Sequence, residues 1–463
     1  MKKGLVLVML GLLVLAAAAL SVTAVAVGKE ITMSHCQGDS SWPQWEAFVG
    51  EYEKLSGNHV KLIYVPAGTY NDWLKAQFAA GTEPDVIMTA QSFGDWLKNG
   101  WIVDHSKYLA QISPYTKKTW SDSFLPGILS QVRDPNMGQA QLGIPFAQIM
   151  VNLYVNADMM GKIGVTAVPR TWSELLAAAK KAQESGTIGF SVQNSIDWNL
   201  SWLTQFVAED LFHDLIPKFD VVTKNGKIDQ AEWALAFLNG KIKPNDPRIK
   251  DLLRSLKDLA QYFNPGFNAA SWEFEGLFNN GKSFMTVNGS WYPNQHLSGK
   301  YPINYVSGGV PYIDKRYSKY GALKPHKWLG GTSALAIVTR NAVKNGKENE
   351  AVDFLRFWTD PKTGAKSLTE KLMFIPVVKG VSTPKAMEGI VQSMGGDEQL
   401  VNFSNVKLMT GEVTERWFKD MQLYLDNKMS MDGFLADFAD AIARGAEQAN
   451  RLHPEWGLDK FLK

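Results

Sequence analysis

Apolar positions recur along this chain in two registers, one with the period of a strand and one with the period of a helix, and the registers take turns. Residues 31–34 form a short apolar run of strand type. Residues 42–55 repeat apolar side chains at helical spacing until Gly57 stops them. Residues 60–65 predict a second strand, followed by a helix over 71–80. The turn Gly81-Thr-Glu-Pro-Asp85 feeds a buried strand over 86–88, and residues 93–99 predict a helix closed by Gly100. Further on, residues 134–138 are a turn, and Gly143-Ile-Pro145 opens one extended run toward Val155. Thr171 with Glu174 three positions later has the form of a capping box at a helix start. Asn225-Gly226 between polar-apolar runs predicts a hairpin turn. Helices over 247–263, 350–359 and 431–452 complete the pattern. Strands alternating with helices predict an α/β class with mostly parallel sheets.

The segment Phe278-Asn-Asn-Gly-Lys-Ser-Phe-Met-Thr-Val-Asn-Gly-Ser-Trp291 concentrates these signals. A helix ends at Gly281, where a glycine tolerates the left-handed backbone that closes helices. A strand over 283–287 follows and stops at Asn288-Gly289. Trp291 is thereby delivered to a strand's C-terminal edge, where α/β domains hold ligands. On this segment alone, an ordinary helix–strand connection with a half-buried tryptophan reads equally well.

The N-terminus changes the picture of where the protein works. Lys2 and Lys3 precede an uncharged run over 4–27 that ends in Ala24-Val25-Ala26, so residues 1–26 read as a cleaved export signal. Retention as a membrane anchor is the alternative. Without that segment, 46 basic residues face 46 acidic ones, which argues against nucleic acid or an anionic membrane surface as partner. The remaining length calls for two domains or more. Cys36 is the only cysteine and can form no internal disulfide. Lys29 and Glu30 separate it from the apolar run, in a poor context for lipid attachment, which favours a soluble periplasmic protein. Sixteen tryptophans suit a chain that grips flat, weakly polar ligands.

Catalytic and cofactor motifs are missing. The sequence has no phosphate loop, no dinucleotide fingerprint, no H-E-x-x-H and no nucleophile elbow. The seven histidines are scattered, and residues 220–232 resemble a calcium loop only until Val222 and Lys224 occupy the ligand positions. No cofactor and no metal are expected.

The pattern F-x-x-G-K-x-x-M-x-x-x-G-x-W in that segment resembles a signature of the sugar-binding proteins of ABC importers, the maltose-binding branch of the periplasmic solute-binding proteins. Other segments resemble the family in the same order. They are Ala80-Gly-Thr-Glu-Pro-Asp-Val86, Gly143-Ile-Pro145 with Leu153-Tyr-Val-Asn156, Pro169-Arg-Thr-Trp-Ser-Glu-Leu175, Gly330-Gly331, the helix over 351–357 and Ile375-Pro376. Val155 stands where an aromatic is usual. The resemblance implies a two-lobed periplasmic-binding-protein fold with three hinge crossings, near 147–150, 307–311 and 358–363. Residues 27–150 and 310–358 would form the N-terminal lobe, and 151–309 and 359–463 the C-terminal lobe. Ligand would be held between lobes that close around it.

The cleft residues this implies are His35, Gln37 and Trp42 after the first strand, and Gln91 and Ser92 after the strand over 86–88. Asp197 and Trp198 lie in the equivalent loop of the second lobe. Trp272, Trp291 and Trp417 fall where the family places stacking aromatics, and Gly330 and Gly331 would let backbone approach the ligand. Capping or turn roles explain His35, Ser92 and the glycines as well. Asp85 and Pro84 read as a structural turn. The implied activity is capture of a carbohydrate, an oligosaccharide first, by a monomer that hands it to the membrane permease of an ABC importer without chemistry. A non-sugar solute such as a polyol phosphate or polyamine is the alternative, and a secreted glycoside-active enzyme is a third reading.

Overall fold

The computed structural model describes residues 28–36, 41–89, 94–134, 137–194, 199–269, 273–297, 299–301, 303–324, 332–394, 400–403 and 409–462. Ten strands build two separate sheets. In chain order they are β1 (Glu30–His35), β2 (His59–Tyr64), β3 (Val86–Thr89), β4 (Ile144–Ile149), β5 (Val151–Asn156), β6 (Ile188–Ser191), β7 (Ser283–Gly289), β8 (Tyr305–Gly309), β9 (Thr332–Val338) and β10 (Ile375–Pro376). The first sheet has the order β10-β4-β9-β3-β1-β2, the second β8-β5-β7-β6. The principal helices are α1 (Trp42–Ser56), α2 (Ala67–Ala80), α3 (Trp172–Glu184), α4 (Asn199–Phe212), α5 (Pro247–Ala260), α6 (Glu273–Asn279), α7 (Glu348–Trp358), α8 (Gly364–Leu372), α9 (Glu388–Gln392), α10 (Gly411–Leu425) and α11 (Met431–Leu452).

Each lobe has its own core, and the helices form where the apolar spacing asks for them. On α1, Trp45, Phe48, Val49 and Tyr52 make one buried stripe, and Gly57 at φ 73° closes the helix with its N–H on the Glu53 carbonyl. The stripe meets Phe354, Phe357 and Trp358 of α7. At the start of α3 the capping box is complete. Thr171 Oγ1 accepts from the Glu174 N–H at 3.3 Å, and Glu174 Oε2 accepts from the Thr171 N–H at 3.2 Å. Asp85 ties β1 to β3: its Oδ2 accepts from the Thr32 N–H at 2.8 Å and the Thr32 hydroxyl at 2.9 Å.

Several expectations need correcting. The sheets are mixed rather than mostly parallel. β1, β2 and β3 run parallel, as do β6 and β7, but β9, β10, β5 and β8 all pair antiparallel with their neighbours. β5 and β9 enter their sheets from the other lobe and so arrive at the opposite end, which reverses their direction. The extended run after Gly143 is two strands, β4 and β5, in different sheets, with Met150 between them. The Asn225-Gly226 turn joins no strands. It is a loop in which Asp220 accepts the backbone N–H groups of Asn225 and Gly226 at 3.0 and 2.8 Å.

The lobe boundaries also move. Ile313 is buried in the second core, its N–H bonded to Asp210 Oδ2 at 2.7 Å, and Val310, Tyr317 and Tyr320 pack there too. Residues 310–322 therefore pack with the C-terminal lobe, so no crossing to the N-terminal lobe falls at 307–311. Ala365, Leu368, Leu372, Phe374 and Val378 lie in the first core, and α8 packs on α1. The third crossing accordingly comes after Val378 and before α9, which packs on β8, rather than at 358–363.

Candidate functional site at the facing sheet edges

The two sheets turn the same kind of edge toward one another. β1, β3 and β4 end at His35, Thr89 and Ile149, and the antiparallel β9 begins with Thr332 beside Ile149. In the second sheet β6 ends at Ser191 and β7 at Gly289, which pairs with Val151, the first residue of β5. These ends flank Met150. Loops that leave such an edge are free to carry side chains that no core requires.

Trp291 stands on the second lobe's edge, partly exposed. Its six-membered ring lies over Gly289 so closely that a Cβ there would run into it, which explains the glycine. Its ring meets Trp202 of α4 edge-on, centroids 5.8 Å apart and planes at 66°. Hydrogen bonds bracket the tryptophan on both sides. Before it, the Ser290 N–H donates to the Met150 carbonyl at 2.7 Å. After it, the Tyr292 hydroxyl donates to Asn279 Oδ1, and Gln295 Nε2 donates to Glu275 Oε2 at 3.1 Å. Glu275 Oε1 accepts from Asn288 Nδ2 at 2.7 Å. Burial raises the Glu275 carboxyl above its ordinary pKa, and the two amide donors oppose that rise.

Trp42 stands on the first lobe's edge, partly exposed at the start of α1, with its indole N–H on Glu46 Oε1 at 2.8 Å. His35 lies beneath it, ring centroids 5.7 Å apart and planes at 22°, with Trp45 on another side at 4.9 Å. His35 is 0% exposed, so the expected ligand contact is corrected to a buried support for Trp42. Neither of its ring nitrogens has a hydrogen bond among the described residues. Burial pushes its pKa down to about 4, leaving a neutral ring at pH 7.

The rim of the second lobe is shaped by amides. Asn264 Oδ1 accepts the Val192 N–H at 2.7 Å, and Asn199 Oδ1 accepts the Gln193 N–H at 2.8 Å. Asn194 gives its side-chain N–H to Asn268 at 3.0 Å. A shallow hollow here is lined by Asn194, Leu200, Ser201, Thr204, Trp417 and Met421. Trp417 is only 4% exposed. Its indole packs against Phe403, Phe434 and Phe438 at 5.1, 4.9 and 4.9 Å, so it is a core residue with a sliver at the hollow rather than an open stacking plane. Val155 is likewise buried in the second core.

Of the twelve expected residues, Gln37, Gln91, Ser92, Asp197, Trp198, Trp272, Gly330 and Gly331 lie outside the described residues. The structure brings Trp42 and Trp291 to the facing edges and withdraws His35 and Trp417 into cores. Sequence reasoning missed Trp202 and Glu275. Trp202 was findable, because Leu200, Leu203, Val207 and Leu211 have the spacing of a helix that starts at the strand's edge. Cys36 packs against the first lobe's apolar side chains, and burial pushes its thiol up to about 11. Among the described residues no cluster of acidic, histidine or cysteine side chains has the form of a metal site, and no helix is long and apolar enough to cross a membrane.

Residues 39–365 match the family described as bacterial extracellular solute-binding protein. The chain is 24% identical over 400 residues to the sn-glycerol-3-phosphate-binding periplasmic protein UgpB of Brucella abortus, covering 80% of this chain and 85% of that one. Two solved structures share the fold. A chitin oligosaccharide binding protein is 19% identical with a TM-score of 0.65, over 91% of this chain and 99% of that one. Maltose-bound MalE3 of T. maritima is 17% identical with a TM-score of 0.66, over 92% and 100%.

Proposed function

The chain belongs to the bacterial extracellular solute-binding proteins, and from that premise we propose that it captures a neutral sugar, an oligosaccharide first, between its two lobes. It then delivers the sugar unaltered to the permease of an ABC importer, as a monomer freed of its export signal. The observation that carries the reading is the placing of partly exposed indoles on both facing edges, Trp42 on one and the Trp291–Trp202 pair on the other. A pyranose has C–H faces that need apolar planes and hydroxyls that need amides and hydroxyls nearby. The names of the sugar-binding structures that share the fold support the same class.

A polyol phosphate is the second reading, favoured by the name of the Brucella relative. The Glu275 carboxyl, tied to Asn288 and Gln295 on either side of Trp291, weighs against an anion at that plane. Native mass spectrometry separates the two readings. The protein is mixed with maltose, raffinose, chitobiose, xylobiose and sn-glycerol 3-phosphate. The expected result is a one-to-one complex with a neutral sugar, released at its original mass. A complex with sn-glycerol 3-phosphate alone, or release of a cleaved or transferred sugar, overturns the proposal.

A further inference from the structure

The contacts of the Trp291 ring, edge-on to Trp202 and over Gly289, are only part of what surrounds it. It sits on the glycine that ends β7, and the residues on both sides of it converge on a single carboxyl group from α6. Glu275 Oε1 takes the Asn288 side-chain N–H at 2.7 Å, and Asn288 Oδ1 in turn takes the Gly289 backbone N–H at 2.8 Å. Glu275 Oε2 takes Gln295 Nε2 at 3.1 Å, on the helical turn Tyr292–His296 that follows the tryptophan. Asn288 is fully buried and Glu275 half-buried. A half-buried carboxyl loses part of its hydration, and here the Asn288 and Gln295 amides take the place of water on its two oxygens.

We propose that Glu275 is a positioning residue for Trp291: by clamping Asn288 and Gln295 it fixes the backbone on which the indole plane is presented to the ligand. This rests on the reading of Trp291 as a sugar-stacking plane, but the geometry it asserts is independent of any ligand. The clamp uses both oxygens of one rigid, planar group, which fixes two donors at once. Helix α6 thereby sets the angle of a ring that belongs to the strand-end loop. Ser290 holds the other end, through its bonds to Met150. An aromatic binding platform gains affinity when it is held in its bound orientation before the ligand arrives.

The variants are Glu275→Ala, which removes the clamp, and Glu275→Gln. The glutamine offers one oxygen to Asn288 and one N–H to Gln295, whose amide can turn to receive it. Each is made in the parent and in a Trp291→Ala background and labelled with 5-fluorotryptophan. In fluorine NMR the Trp291 resonance is identified by its loss in Trp291→Ala. Glu275→Ala is expected to shift or split that resonance while the resonances of the core indoles stay put, and Glu275→Gln to restore it. An unmoved Trp291 resonance in Glu275→Ala overturns the proposal whatever the protein binds.

Affinity for the sugar that binds best among maltose, raffinose, chitobiose and xylobiose gives the second readout. Glu275→Ala should weaken it about tenfold in the parent, equivalent to about 1.4 kcal/mol, and not at all in the Trp291→Ala background. Equal losses in both backgrounds would assign Glu275 a general structural role and sink the proposal. Failure of every neutral sugar to bind the parent protein would instead sink the proposed function, and the resonance measurement would still decide the clamp.

Discussion

Ser290 and Met150 hold one another across the junction of the two lobes. The Ser290 N–H donates to the Met150 carbonyl at 2.7 Å, and the Met150 N–H donates to the Ser290 hydroxyl oxygen at 3.2 Å. Met150 is the single residue between β4 of one sheet and β5 of the other. Ser290 follows β7 and precedes Trp291. The hinge residue Met150 and the candidate binding plane of Trp291 are therefore linked through a single residue, Ser290.

Ser290→Ala should destabilise the protein by about 1–3 kcal/mol, the cost of leaving the buried Met150 N–H without its acceptor. Thermal unfolding reads the loss, and hydrogen exchange should show the Met150 amide opening faster. Unchanged protection at that amide would contradict the account of the junction.

Trp291→Ala should weaken sugar binding at least tenfold, since indole anchors at binding sites commonly carry about 2 kcal/mol or more. The ring is partly exposed, so the melting temperature of the ligand-free protein should barely move. Normal affinity, or unfolding well below the parent, would remove Trp291 from the site.

Trp417→Ala should do the reverse. The ring fills a pocket among three phenylalanines, and its loss should cost about 3–5 kcal/mol of stability. Melting curves of the two tryptophan variants side by side test the assignment of one to the core and the other to the rim.

Acid should destabilise the fold through its buried histidines. His35 and His105 are both fully buried, and burial lowers each from 6.5 to about 4. His105 is held neutral with its Nε2 accepting the Val338 N–H at 3.1 Å. Between pH 6.5 and 4 the unfolded chain takes up protons that the folded chain refuses. The stabilising contribution is thus whole above 6.5 and lost as pH falls toward 4. His35→Phe keeps a flat ring against Trp42, and its melting temperature should fall less steeply over that window. Parallel pH profiles for parent and variant would contradict the burial of a neutral His35.

The sequence made the alternation of strands and helices legible because apolar period and capping chemistry are local. Thr171 with Glu174 and Gly57 after α1 do what their neighbours in sequence demand. Trp291 was legible for the same reason, since Gly281 and Gly289 bound a strand between them. The lobe boundaries were not, because whether residues 310–322 or 364–378 serve one core or the other depends on partners such as Asp210 and α1, far away in the chain. His35 and Trp417 misled on similar grounds. Both lie near the cleft in sequence order, and only packing by Trp42, Trp45 and the three phenylalanines turns them inward. Glu275 was invisible because its two partners, Asn288 and Gln295, sit on a strand end and a turn that sequence alone does not bring together.

Small-angle scattering with and without the best-binding neutral sugar tests the central claim most directly. Capture between lobes that meet at Met150 predicts a smaller radius of gyration at saturating sugar, and no such change in the sugar's absence. A sugar that binds tightly while the radius of gyration stays where it was would contradict capture in the cleft.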